Sequence, residues 1–100
     1  MSLSSKQRAA LRGEAHHLTA SVHVGQHGLT PSVRKTVDDA IRTHELVKIQ
    51  FMKNADVKQS ANDLAQALGA DVVQVIGKTA TLFRENPDLE QKGDVPPWRR

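Results

Sequence analysis

Between residues 45 and 52 the chain alternates, with apolar Val47, Ile49 and Phe51 separated by polar Lys48 and Gln50. Successive side chains of an extended strand point to opposite faces, so this run demands a sheet with one face buried and one in water. A strand covered by helices on both faces would read as a continuous apolar run, so a two-layer arrangement is expected. The segments on either side have the other period. Val33, Val37, Ala40 and Ile41 recur at helical spacing from Pro31 to about Thr43, and Val57, Ala61, Leu64, Ala65 and Leu68 do so after Asp56. A half-buried strand between two amphipathic helices points to an α/β domain.

The remaining elements are marked by their ends. Ser4 with Gln7 three residues on is a capping box, and the helix behind it sets Leu3, Ala10, Leu11, Ala15 and Leu18 on one side. Arg8, Arg12 and His16 recur on the opposite side with Lys6 nearby, a pattern that suits either a solvated face or a cationic ridge. Ser21–Val24 is a short strand. Asp56 with Gln59 caps the third helix and Gly69 ends it. Strands Val72–Ile76 and Thr79–Arg84 are joined by Gly77-Lys78, the pattern of a type II′ hairpin turn. The tripeptide Gly77-Lys78-Thr79 is not a nucleotide-binding P-loop, because Val72 stands where its first glycine would be and no helix follows. The order is α-β-α-β-α-β-β around a mixed four-stranded sheet. It forms one domain over residues 1–84, followed by a poorly ordered tail over 85–100 that contains Trp98.

A chain of 100 residues supports one modest core, here aliphatic, since it has two Phe, one Trp and no Tyr. The absence of cysteine excludes disulfides, thiolate metal sites and cysteine nucleophiles. No apolar run approaches the roughly 20 residues that span a bilayer, and there is no signal-peptide core, so a cytoplasmic protein away from membranes is expected. The net charge of +3 is uneven: residues 1–53 carry +4 and residues 54–100 carry −1. The helix from Pro31 offers i,i+4 pairs Arg34–Asp38, Lys35–Asp39 and Asp38–Arg42, which would neutralise its own surface.

The basic half also holds Val24-Gly25-Gln26-His27-Gly28-Leu29-Thr30-Pro31. Two glycines let a backbone turn sharply and bring N–H groups close to a ligand. Thr30 can cap the next helix, and Pro31 suits its first position. A strand, a glycine-bounded loop and a helix N-terminus thus converge on one point, which favours an anion and above all a phosphate.

Several motifs in one order carry a resemblance: Leu3-Ser4-Ser5-Lys6-Gln7, Leu11-Arg12, Ala15-His16, Val24 through Thr30, His44-Glu45-Leu46-Val47-Lys48 and Val75-Ile76-Gly77-Lys78-Thr79. From about Leu3 to Arg84 the chain resembles the CRM domain (chloroplast RNA splicing and ribosome maturation), most nearly the stand-alone bacterial YhbY-like proteins. The resemblance implies a fold similar to the C-terminal domain of translation initiation factor three. It also implies RNA binding through the Gly-x-x-Gly loop, and association with precursors of the large ribosomal subunit. By position, the implied RNA-binding residues are Gly25, Gln26, His27 and Gly28, flanked by Lys6, Arg12 and Lys48; Arg8 joins them from the ridge on the first helix. Many family loops carry Lys or Arg between the glycines. This one has Gln26 and His27, so the contacts expected are those of the backbone.

Three classes of function are therefore weighed. The leading one is a monomeric, non-enzymatic RNA-binding module for ribosomal RNA and pre-large-subunit particles, with no cofactor, metal or small-molecule substrate. With few aromatic residues to stack bases, it would recognise folded RNA shape. An enzyme would have to draw on His16, His17, His23 and His27, which fall on a helix end, a loop, a strand and a turn. His44 falls on the apolar side of its helix as a partly buried structural residue. A protein-interaction module docking on ribosomal proteins would use the wet sheet face with Lys48 and Gln50.

Overall fold

Local hydrogen bonds start and stop most elements where the sequence places them. The computed structural model describes residues 4–25, 27–52 and 56–86. Its elements are α1 (Ser5–Ala15), β1 (Val22–Val24), α2 (Pro31–His44), β2 (Leu46–Phe51), α3 (Val57–Leu68), β3 (Asp71–Ile76) and β4 (Thr79–Phe83). Ser4 and Gln7 form the capping box reciprocally, at 3.1 and 3.0 Å. Thr30 Oγ1 accepts from Val33 N, and Asp56 Oδ1 accepts from Gln59 N. Gly69 ends α3 at φ 65°, and Gly77 turns the hairpin at φ 57°.

The sheet runs β1-β2-β4-β3, with β1 parallel to β2 and both other pairs antiparallel, the mixed sheet expected. Val22, Val24, Val47, Ile49, Phe51, Ala80 and Leu82 line one face, and α2 and α3 bury it with Val37, Ile41, Val57, Ala61, Leu64 and Ala65. These are the two layers anticipated. α1 departs from that plan by lying on the opposite face, where Leu11 packs with Leu46, Val73 and Phe83 and with half-buried Leu18. Leu46 begins β2 next to Val47, so both faces of the strand are apolar there, and the polar alternation begins only at Lys48. The start of β2 is therefore covered on both sides, and the rest of that face stays open.

Some sequence expectations need correction. Glu45 is not in the strand. It caps α2 at φ 64°, is fully buried, and its N–H donates to Ile41 O at 2.8 Å, while its carbonyl and carboxylate accept from the backbone N–H groups of Arg84 and Asn86. Ala10 is exposed, and so is His44, because α1 and α2 turn their apolar stripes elsewhere. Leu3, Gln26, Trp98 and the tail beyond Asn86 lie outside the described residues. Asn86 itself is tied to α2, since its side-chain N–H donates to Arg42 O at 2.6 Å. No described helix is long and apolar enough to cross a membrane.

Candidate nucleic-acid interface

Strand β1 runs into the glycine loop, which is a tight turn: Gly28 N donates to Gly25 O, and Thr30 N donates to Gly28 O, each at 3.0 Å. The two glycines have different reasons to be there. Gly28 lies at φ 68°, where a side chain is strained. Gly25 is outside that region, and a Cβ there would meet nothing within 4 Å. Among the described residues, neither a left-handed φ nor a packing contact requires glycine at 25. The N–H groups of His27, Leu29 and Ser32 donate to no described protein acceptor. They surround the N-terminus of α2, where the helix dipole adds positive potential.

The charges around this point are arranged differently from the sequence pairing. Asp38 pairs with Arg42 at 2.8 Å as expected, but its second oxygen accepts from Arg84 at 2.8 Å rather than from Arg34. The Arg84 hydrogen bond, reinforced by the charges of Arg84 and Arg42, holds the Asp38 carboxyl below the usual aspartate range against the opposing effect of burial. Arg84 also donates to Leu68 O at 2.9 Å, locking the end of α3 to α2. With Asp38 engaged, Arg34 reaches back over the loop towards Leu29 O, at 3.5 Å. Among the described residues Lys35 forms no ion pair with Asp39. Arg34 and Lys35 thus leave uncompensated positive charge on the first turns of α2. Phe51 N donates to Lys78 O at 2.7 Å, which brings the hairpin turn and exposed Lys78 to the same end of the sheet. In the sequence, i,i+4 spacing and a turn position offer Arg34, Lys35 and Lys78 local explanations, so their clustering at this end is visible only in the fold.

The cations proposed on α1 fall into two groups. Lys6 and Arg12 are exposed. Arg8 is half-buried and donates to Val72 O at 2.6 Å, fastening α1 to β3. Val72 stands four residues before Ile76, about 13 Å along the strand at the usual rise, so Arg8 sits away from the loop end. Lys48 is likewise engaged: its Nζ donates to Ala15 O and Leu18 O, each at 3.3 Å, and closes the C-terminal end of α1. The structure therefore gathers Gly25, His27 and Gly28 at one point and holds Arg8 and Lys48 in contacts within the fold.

The uncovered part of the sheet begins at this loop. Pairing aligns His23 with Gln50, Gln50 with Thr79 and Thr79 with Ile76 in one row, and Lys48 with Thr81 and Thr81 with Gln74 in the next. Two shallow grooves cross it. One of about 350 Å³ is lined by His16, Lys48, Gln74, Ile76, Thr79 and Thr81, and another of about 460 Å³ includes His23, Gly25, Gln50 and Met52. Neither has an acidic side chain in its lining. The histidines considered for catalysis do not converge. His16 and His23 line different grooves, His27 lies in the turn, and the described residues contain no metal-sized group of three or more His, Asp or Glu.

The chain is similar to known proteins over most of its length. The CRS1 / YhbY (CRM) domain model matches residues 3–84. The "Probable RNA-binding protein YqeI" of Bacillus subtilis is 34% identical, over 89% of this chain and 95% of that one. An "RNA-binding protein" of Haemophilus influenzae is 36% identical over 94% and 95% of the two chains. The solution structure of a hypothetical protein from Staphylococcus aureus superposes with a TM-score of 0.76 at 32% identity, over 85% of this chain and 91% of that one.

Proposed function

Given that this chain belongs to the CRS1 / YhbY (CRM) domain family, we propose that it binds RNA at the loop end of the sheet and assists assembly of the large ribosomal subunit. The loop amides of His27 and Leu29, with the N-terminus of α2, hold a backbone phosphate, and Arg34, Lys35 and Lys78 engage its neighbours. Lys6 and Arg12 extend the contact along the RNA. Gly25 is the observation that carries this reading. Among the described residues neither a left-handed φ nor close packing calls for its glycine, and a ligand backbone approaching closely from outside does. Relatives bearing the name RNA-binding protein support the partner class. Binding needs no cofactor and no chemical step, and we assign it to a monomer in the cytoplasm.

Phosphate contacts supply affinity and position without reading sequence, which suits a protein that chaperones a folded RNA. Crosslinking in cells followed by sequencing of the bound RNA is the test, with reads concentrated in large-subunit precursor RNA as the expected result. Co-sedimentation with ribosomal particles that survives complete RNA digestion would instead assign the protein to a ribosomal-protein partner.

A further inference from the structure

Resting on the phosphate reading of the loop, we propose that the uncovered sheet face is the base-binding half of the same interface. Unpaired ribonucleotides next to the loop-held phosphate lay their bases against Ile76 and Met52 and meet the polar groups of Gln50, Gln74 and Thr81. Ile76 and Met52 are the large apolar side chains most open to water among the described residues, at 58% and 47% exposure, and each lines one of the two grooves. Planar bases are suitable cover for them, and the Met52 thioether adds a favourable contact with an aromatic ring.

The polar groups point to the same occupant. Thr81 is only 1% exposed and lines the groove beside Lys48, yet its hydroxyl has no hydrogen-bond partner among the described residues. A buried hydroxyl without a partner is uncommon, and one facing a groove is available to a ligand. The amides of Gln50 and Gln74 are also without partners among the described residues, and each offers a donor and an acceptor, the combination that base edges present. His16, His23 and Lys48 border the face with no acid among its lining residues, so a polyanion is admitted. The face is continuous with the loop, because Gly25 itself lines the second groove. A strand whose phosphate sits at the turn therefore leads its next nucleotides onto Gln50 and Met52.

The test compares a short single-stranded ribo-oligonucleotide with a chain of equal length lacking its bases. Wild type should prefer the base-bearing chain by about five- to tenfold, the worth of one or two neutral hydrogen bonds. The Gln50→Ala, Ile76→Ala double variant changes two exposed side chains, so it should keep its thermal unfolding midpoint and bind both chains alike. Equal binding of the two chains by wild type, or a preference retained by the double variant, overturns the proposal. Gly25→Asp separates the two readings. Weakened binding of both chains is expected from the loop phosphate, whereas unchanged binding of both, with the wild-type preference for bases intact, would sink the loop reading and leave the face standing. If neither chain binds, and the Ile76 and Met52 methyl resonances move only on adding RNA-free ribosomal protein, the face belongs to a protein partner and the proposal fails.

Discussion

Gly25 lies outside the left-handed region and has open space where a Cβ would stand, so replacing it should cost the fold little. Gly25→Asp should leave the unfolding midpoint within a few degrees of wild type and weaken RNA binding by about tenfold or more, since it sets a carboxylate where the phosphate approaches. Gly28→Ala mixes two effects, because a side chain at its φ of 68° costs about 1–2 kcal/mol before any ligand is present. Matched titrations and thermal melts separate the two positions. Undiminished affinity in folded Gly25→Asp would make the loop an ordinary turn. Arg34 yields a second test. Sequence spacing assigned it to Asp38, but Asp38 is held by Arg42 and Arg84, so its charge remains available at the loop. Arg34→Ala should weaken binding by about 0.5–1.5 kcal/mol, one charge-assisted contact, with stability nearly unchanged. A loss of stability without loss of affinity, measured by the same two assays, would return Arg34 to a structural role.

At the scale of elements, what was legible in the sequence was local. Ser4–Gln7, Thr30–Val33 and Asp56–Gln59 each close within three residues, so residue type and spacing define them. Contacts that join distant elements were not legible. Arg84 meets Asp38 across 46 residues, and Arg8 meets Val72 across 64. Nothing in i,i+4 spacing ranks those partners against the nearer Arg34. The position of α1 was hidden for a similar reason: Leu46 and Phe83 are single apolar residues at strand ends, and only their pairing across the sheet makes a second buried patch. The Asp38–Arg84 link carries its own prediction. Because the folded carboxyl titrates below its unfolded value, its stabilisation is complete above about pH 4 and fades as pH falls through the lowered folded value. Asp38→Asn should therefore lower the unfolding midpoint at pH 7, with a stability loss of about 1 kcal/mol. The gap to wild type should close as the solution is acidified below about pH 4. Thermal melts across that range check it, and a gap independent of pH would mean that the charge of Asp38 contributes nothing.

For the whole molecule, the distribution of charge matters more than its small net value. The acids described on α2 and α3 lie behind the sheet, while the loop end and open face are lined by amides, hydroxyls, histidines and cations. Binding that neutralises a handful of phosphates predicts a log-log salt slope of roughly −3 to −6. Titrations at several salt concentrations measure it, and affinity indifferent to salt would exclude a phosphate-based interface. RNA should meet the molecule at the loop end and the open sheet face. Ultraviolet crosslinking of the full chain to large-subunit ribosomal RNA, followed by identification of the crosslinked peptides, tests it most directly. Crosslinks should concentrate in residues 23–35, 50–52 and 74–79, whereas crosslinks confined to the outer faces of α3 and α2, with the loop and open sheet unmodified, would contradict the account.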